Sequence, residues 1–192
     1  MKSSNYVVSL ILVALLLLFG CSTNAGQEQN SNSISSVERI YNLDPQRTFI
    51  DQEIGDFHFI NILTDKQIHF DDLNKDKVVI IQSFSNGCPA CVRGIKEYNK
   101  LYDKYKDSLE ILYMNINPDD KPEEIINIKE TYNGRDWVWA NYQGSLLPFY
   151  EQYGFKMNDM TFIVDKGGRI AYADSFSVPL ERIENELRKL GV

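Results

Sequence analysis

The chain has 192 residues, of which 43% are hydrophobic and 12% aromatic, and its formal net charge is −7. This length is enough for one domain with a buried core and is short for two. An acidic chain without a cluster of basic residues argues against nucleic-acid binding, so no nucleic-acid partner is expected.

The N-terminal 21 residues have the features of an export signal. Lys2 precedes an apolar stretch from Tyr6 to Phe19. The run LFGC, which ends at Cys21, resembles a bacterial lipobox, in which the cysteine is lipidated and becomes the new N-terminus. An uncleaved membrane anchor is the alternative, because the apolar stretch is only slightly shorter than a membrane span.

The sequence therefore predicts three regions. Residues 1–20 are a lipoprotein signal peptide. Residues 21–45 are a flexible polar tether, because this segment has few apolar side chains to bury. Residues 46–192 form the folded domain. The expected location is the extracytoplasmic side of the cell membrane, where a lipid on Cys21 anchors the protein.

The first half of the domain has clear strand and helix patterns. DFHFINIL and KQIHF are two strands that a turn joins into a hairpin. KVVIIQSF, from Lys77 to Phe84, is a continuous apolar run that is typical of a strand buried on both faces. The helix after it has apolar and aromatic residues three and four positions apart: Val92, Ile95, Tyr98, Tyr102 and Tyr105.

The second half continues the alternation. LEILYMNIN is a second buried strand, and KPEEIINIKETY is a helix with proline and glutamates in its first turn. DWVWANY is a short strand, and one of its tryptophans, Trp137 or Trp139, is expected in the core. LLPFYEQYG is a short helix or turn. MTFIVD and RIAYAD form a hairpin around a Lys-Gly-Gly turn, and VPLERIENELRKL is a closing amphipathic helix.

This order of elements predicts an α/β fold. A strand–helix–strand unit followed by a hairpin and a final helix gives a central mixed β-sheet flanked by helices on both faces, with an additional N-terminal β-hairpin.

Two of the three cysteines form one C-x-x-C motif, CPAC, at Cys88 and Cys91. Structural zinc needs four ligands, and only His58 and His69 are available besides the cysteines, without the required spacing. Haem attachment needs a histidine directly after the second cysteine, where Val92 stands. No metal and no cofactor are expected.

The position of the motif favours redox chemistry over a purely structural disulfide. A C-x-x-C loop is too small to gain much stability by constraining the unfolded chain. Cys88 stands where a buried strand gives way to a helix, and the helix N-terminus favours a thiolate there. Cys91 lies one turn further in. Cys88 would therefore attack a disulfide and Cys91 would resolve the mixed disulfide. Pro89 suits an early helical position.

On these motifs the chain resembles the TlpA/ResA-like branch of the thioredoxin superfamily, the membrane-tethered thiol–disulfide oxidoreductases. The resemblance covers about residues 55–190 and includes the N-terminal hairpin, CPAC, and TFIVDKGGRIAY as the last hairpin. It implies a thioredoxin-like fold and catalytic Cys88 and Cys91, with Pro89 and Ala90 between them. It also implies protein thiol or disulfide substrates and a membrane electron donor or acceptor. A monomer is expected.

The chain departs from the family pattern at several positions. The family usually has tryptophan before the first cysteine, where this chain has Gly87. Its buried carboxylate is replaced by Gln82, which cannot accept a proton. Its cis-proline loop is replaced by KMNDMTF, which places Asp159 at the proline position and Met160 next to it.

The loop at Asp159 is expected to have trans peptide bonds. The negative charge of Asp159 would raise the pKa of a nearby thiol. Asp159→Pro is expected to change the choice of redox partner more than it changes global stability.

Two other functions remain open. A thiol peroxidase on the same fold would have proline and threonine where this chain has Ile81 and Ser85. A non-catalytic lipoprotein that binds a partner or copper is the second alternative. It remains open because the family's cis-proline is missing, although copper handling would normally use a C-x-x-x-C spacing with a distant histidine.

Overall fold

A seven-stranded mixed sheet forms the centre of the fold. The computed structural model describes residues 48–142, 146–154, 158–174 and 178–192, which all fall within one compact unit. The predicted signal peptide and the whole predicted tether, including the predicted lipidation site Cys21, lie outside the described residues. None of the helices in the described ranges is long and apolar enough to cross a membrane.

The strands and helices alternate along most of the chain. The strands are β1 (His58–Asn61), β2 (Lys66–His69), β3 (Val78–Phe84), β4 (Leu109–Asn115), β5 (Val138–Ala140), β6 (Thr161–Val164) and β7 (Ile170–Asp174). The helices are α1 (Phe70–Asn74), α2 (Pro89–Tyr105), α3 (Pro122–Thr131), α4 (Leu147–Tyr153) and α5 (Leu180–Lys189). Each strand predicted from the sequence is present, and the segment predicted as a short helix or turn is helix α4.

Helix α1 is an element that the sequence patterns did not predict. Phe70 was assigned to the second strand of the hairpin, but it begins this five-residue helix and is buried. Two aspartates follow it in the first turn, where the positive end of the helix dipole favours acidic side chains. A helix this short has too few residues for its periodicity to show in the sequence.

The sheet order is β2-β1-β5-β4-β3-β6-β7. Strand β3 pairs in parallel with β4 and antiparallel with β6, so the sheet is mixed as predicted. Every residue of β3 is buried. This strand carries the chain through the middle of the molecule and delivers it to the loop before α2.

Two apolar cores lie on the two faces of the sheet. Val79 and Ile81 of β3 belong to one core, with buried side chains of α1 and α4. Val78 and Ile80 belong to the other, with buried side chains of α2, α3 and α5 and with both cysteines. Because side chains alternate along a strand, this division confirms the prediction of helices on both faces.

Both tryptophans near β5 are in the core, although the sequence analysis assigned only one of them to it. Trp137 and Trp139 are fully buried, and their rings stack with centroids 5.5 Å apart. The Nε1 of Trp139 donates a hydrogen bond to the carbonyl oxygen of Arg135 at 3.0 Å. The pair fills the core between β5 and the helices α2 and α3.

Candidate active site at the strand-to-helix junction

The two cysteines of the CPAC motif are joined by a disulfide at the start of α2. Cys88 is the N-cap residue and Pro89 is in the first turn, where its missing N–H leaves no hydrogen bond unmade. The backbone N–H of Cys91 donates to the Sγ of Cys88 at 3.2 Å. The helix N-terminus is therefore aimed at the Cys88 sulfur, an arrangement that stabilises a thiolate.

The environments of the two sulfurs differ. Cys88 is 8% exposed and Cys91 only 2%. Cys88 lines an open groove, whereas the Sγ of Cys91 lies 4.0 Å from the carbonyl oxygen of Ser83 in the interior. The hydroxyl of Tyr113 donates to the carbonyl oxygen of Cys91 at 2.7 Å and fixes its backbone. A substrate sulfur approaching from solvent therefore meets Cys88 first.

Gln82 lies in β3 behind the cysteines and connects three segments of the chain. Its Oε1 accepts hydrogen bonds from the hydroxyl of Tyr98 in α2 and from the hydroxyl of Thr161 in β6, the latter at 2.6 Å. Its Nε2 donates to the Oδ1 of Asp159 at 3.1 Å. Burial raises the pKa of Tyr98 well above its ordinary value, so this phenol stays protonated and keeps donating. Gln82 is therefore an uncharged side chain that links α2, β6 and the loop before β6 by hydrogen bonds.

The described end of the proline-free loop, residues 158–160, is held by β3. The backbone N–H of Asp159 donates to the carbonyl oxygen of Ser83 at 3.0 Å. The N–H of Met160 donates to the Oγ of Ser83 at 2.8 Å, and the N–H of Ser83 donates to the carbonyl oxygen of Met160 at 2.9 Å. The same Ser83 carbonyl oxygen lies 4.0 Å from the Cys91 sulfur, so Ser83 links the Asp159 backbone to the surroundings of Cys91.

The described part of this loop, residues 158–162, has trans peptide bonds as expected, since the described residues contain no cis peptide. Asp159 has a φ of 66°, in the left-handed region. Proline is fixed near −65° and has no N–H to donate to Ser83. The expectation that Asp159→Pro mainly changes partner choice is therefore wrong, because the native backbone excludes proline at this position.

Met160 was predicted as a redox-site neighbour, but only its backbone adjoins the site. Its side chain is buried in the core formed with α1 and α4, on the opposite face of the sheet from the two cysteines. Asp159 directs its carboxylate to Gln82. Ala90 is half-buried in the first turn of α2.

Gly87 stands where the family usually has tryptophan, directly before Cys88. Its φ of 80° lies in the left-handed region, which a tryptophan rarely adopts. A tryptophan at this position would therefore strain the loop as it is folded here. Gly87 also leaves the approach to Cys88 without a large side chain.

A buried carboxylate that the sequence analysis missed fixes the loop before Cys88. Asp120 accepts hydrogen bonds from the backbone N–H of Asn86 at 2.6 Å and from the side-chain amides of Asn115 and Asn117 at 2.7 and 2.6 Å. The sequence signal for this site is the polar run NINPDD, which starts at the last residue of β4. The carboxyl ends of the parallel strands β3 and β4 meet at one edge of the sheet, so polar residues after β4 lie near the residues after β3.

A groove of about 670 Å³ opens beside Cys88, between α2 and the end of α3. Its lining combines apolar and basic side chains with the redox motif: Asn86, Gly87, Cys88, Pro89, Val92, Arg93, Lys96, Glu97, Ile128 and Tyr132. The groove is the solvent-facing approach to the Cys88 sulfur.

The two histidines are far along the sheet from the cysteines. His58 and His69 are exposed register partners in the β1–β2 hairpin, which β5 and β4 separate from β3. Asp56 lies 2.9 Å from His69 and raises the pKa of that imidazole through a hydrogen bond and its charge. In the described part of the chain, no three His, Cys, Asp or Glu side chains are grouped to hold a metal. The arrangement gives no support to a zinc site.

The family follows from a profile match over most of the domain. The profile of the AhpC/TSA family matches residues 50–173. The chain belongs to the AhpC/TSA family. No curated protein matches it significantly in sequence.

Solved structures with the same fold include two from Bacteroides. A thiol:disulfide interchange protein from Bacteroides sp. is 18% identical, with a TM-score of 0.64, over 74% of this chain and 91% of that one. The thioredoxin domain of a thiol-disulfide oxidoreductase from Bacteroides vulgatus is 17% identical, with a TM-score of 0.62, over 73% of this chain and 96% of that one. The predicted thioredoxin-like fold and thioredoxin-family membership are confirmed.

Proposed function

We propose that this AhpC/TSA-family protein is an extracytoplasmic thiol–disulfide oxidoreductase that exchanges the Cys88–Cys91 pair with protein substrates. The observation that carries the proposal is the position of the two sulfurs. Cys88 caps α2 at the edge of an open groove, and Cys91 lies behind it against Ser83. An accessible attacking thiol and a shielded resolving thiol are what disulfide exchange requires.

Exchange takes place in two steps. The Cys88 thiolate attacks one sulfur of a substrate disulfide, a mixed disulfide forms, and the other substrate sulfur leaves as a thiolate. The Cys91 thiolate then attacks the Cys88 sulfur and releases the second substrate thiol. Two electrons pass from the Cys88–Cys91 dithiol to the substrate, and the protein is left oxidised. Run in reverse, the same steps oxidise a substrate dithiol.

The sequence of the N-terminal segment supports the proposal that disulfide exchange takes place beside a membrane. The lipobox-like run that ends at Cys21 would give a lipid anchor on the extracytoplasmic side, and the polar tether would let the domain reach its partners. A membrane electron donor or acceptor would then restore the starting redox state. The domain would act as a monomer.

A trapping experiment tests the proposal. The Cys91→Ser variant should accumulate mixed disulfides with membrane and exported proteins, because the resolving thiol is absent. The Cys88→Ser variant should accumulate none. Trapping by Cys88→Ser but not by Cys91→Ser would reverse the assignment of the two thiols. Absence of trapping by either variant would contradict the exchange reaction.

The peroxidase alternative gains no support from the site. Ile81, where those enzymes have proline, is a fully buried residue of β3 that pairs with Leu112 and Phe162. Peroxide consumption that is as fast as disulfide reduction, with the pure protein, would favour the peroxidase. Tight copper binding without disulfide turnover would favour the non-catalytic lipoprotein.

A further inference from the structure

The groove beside Cys88 has an apolar wall built from two helices. Val92 of α2 and Ile128 of α3 are half-buried in it, and Tyr132, just after α3, is 37% exposed. A large aromatic side chain exposed next to a reactive sulfur can cover an apolar residue of a bound segment. The wall lies within the same groove as Cys88, so a segment bound there is held close to the attacking atom.

The groove also carries positive charge that the described part of the chain leaves unpaired. Arg93 and Lys96 are exposed, and no ion pair with a described residue involves either of them. The one acidic side chain in the lining, Glu97, is paired with Lys100 at 2.9 Å. Arg93 and Lys96 therefore make the groove locally basic, although the whole chain has a net charge of −7.

We propose that this groove selects substrate segments in which an acidic residue and an apolar residue lie next to the reactive cysteine. The inference rests on the proposed disulfide exchange and names its substrate class. The apolar residue packs on Val92, Ile128 and Tyr132, and the acidic residue pairs with Arg93 and Lys96. Opposite charges guide the encounter and fix the register of the segment, which brings its sulfur to Cys88.

The geometry also favours this groove over the proline-free loop as the recognition surface. Three backbone groups of that loop, the Asp159 N–H and the Met160 N–H and carbonyl, already bond to Ser83. They are not available to pair with an incoming strand, so side-chain recognition in the groove takes over that role.

The test uses two peptide disulfides that differ only in charge. Each is a homodimer of a short peptide linked through its one cysteine, with leucine and either glutamate or lysine beside that cysteine. The reduced full-length protein in detergent should reduce the acidic peptide about fivefold faster at low ionic strength, as expected for one or two exposed ion pairs. The rate ratio should fall towards one as salt is added.

Charge removal provides the matched variants. Arg93→Gln with Lys96→Gln should bring the ratio of the two rates close to one, and using a ratio cancels any change in the Cys88 thiolate fraction. Lys166→Gln is the control, because Lys166 is exposed in the turn after β6, at the opposite end of the sheet from Cys88. This variant should keep the wild-type ratio.

Each remaining outcome is decisive. Equal rates for the two peptides in the wild type, or a ratio that the double variant leaves unchanged, would overturn the groove proposal while leaving disulfide exchange intact. Failure to reduce either peptide would contradict the proposed function instead. A dimer in sedimentation that the double variant dissociates would show that a second copy of the chain occupies the groove, which would also overturn the proposal.

Discussion

At the scale of single residues, the site has the neutral side chain of Gln82 where the resembled family has a carboxylate, and the backbone of Asp159 where that family has proline. Gln82 holds Tyr98, Thr161 and Asp159 through its side-chain amide, with no titrating proton of its own. Asp159 uses its left-handed backbone to donate to Ser83 beside the Cys91 sulfur. These groups lie on the side of the resolving cysteine. Substitutions at Gln82 or Asp159 should therefore change the reactivity of Cys91 more than that of Cys88.

Gln82→Glu should destabilise the protein at pH 7. The new carboxylate would lose the amide bond to Asp159 and would face its negative charge, at a cost of about 1–3 kcal/mol. Because this repulsion raises the pKa of the new carboxyl in the folded state above its unfolded value, the deficit should shrink as the pH falls and that group is protonated. Urea unfolding at pH 7 and pH 5 measures the effect. Gln82→Met, which adds no charge, should show a deficit that does not depend on pH, and a pH-independent deficit in Gln82→Glu would contradict the prediction.

A pair of substitutions at Asp159 tests the loop backbone. Asp159→Gly should lose the side-chain hydrogen bond from Gln82 but keep the loop backbone, because glycine adopts a φ of 66° without strain and keeps the N–H that donates to Ser83. Asp159→Pro should lower the free energy of unfolding by about 3 kcal/mol or more, because proline can neither adopt this φ nor donate a hydrogen bond to Ser83. Thermal or urea unfolding of the two variants gives the comparison. Equal stability for both would show that the loop does not hold this conformation.

At the scale of elements, the helices and strands with long apolar patterns were predictable and the polar connections between them were not. The apolar run of β3 and the periodicity of α2 are local features, so the sequence alone locates the CPAC motif between them. The bond between Gln82 and Thr161 joins residues 79 positions apart, and the bonds of Asp120 depend on the parallel register of β3 and β4. Pairings of that kind depend on tertiary structure, which a periodicity in the sequence does not encode. The five-residue helix α1 was missed because it is too short to show one.

The close packing of the segment after α3 against β5 gives a prediction at this scale. A Cβ atom at Gly134 would lie 2.6 Å from the Cζ2 of Trp139, whose ring is fully buried and cannot move freely. Gly134→Ala should therefore destabilise the protein by about 1–3 kcal/mol. Gly94→Ala is the control, because its Cβ in α2 would meet only Tyr98 at an ordinary 3.5 Å. Alanine in a helix should leave stability unchanged or raise it by up to about 1 kcal/mol. Equal effects of the two changes in urea unfolding would contradict the packing argument.

At the scale of the whole molecule, one domain with two apolar cores presents its redox pair at one end of the sheet. The core on the side of α2, α3 and α5 contains the two cysteines, so the disulfide is built into packed structure and only Cys88 reaches the groove. The N-terminal segment is proposed to be a lipoprotein signal that anchors this domain. An anchored domain with one accessible sulfur fits the proposed exchange with membrane and exported proteins.

The anchor has a direct prediction. The mature protein should begin at Cys21 and carry lipid on that residue, because the lipobox-like run ends there. Mass spectrometry of the membrane fraction should find an acylated N-terminal cysteine. Cys21→Ala should abolish the modification and leave the apolar segment uncleaved. An intact N-terminus at Met1 in the wild-type protein would indicate an anchor helix instead.

The central claim is that Cys88 is the attacking thiol, activated at the N-terminus of α2. The most direct measurement is the rate of alkylation of each cysteine in the reduced protein as a function of pH, with the modified residue identified by mass spectrometry. We predict that Cys88 reacts first, with an apparent pKa below the value of about 8.5 for an ordinary cysteine. Faster alkylation of Cys91, or a Cys88 that titrates at or above the ordinary value, would contradict it.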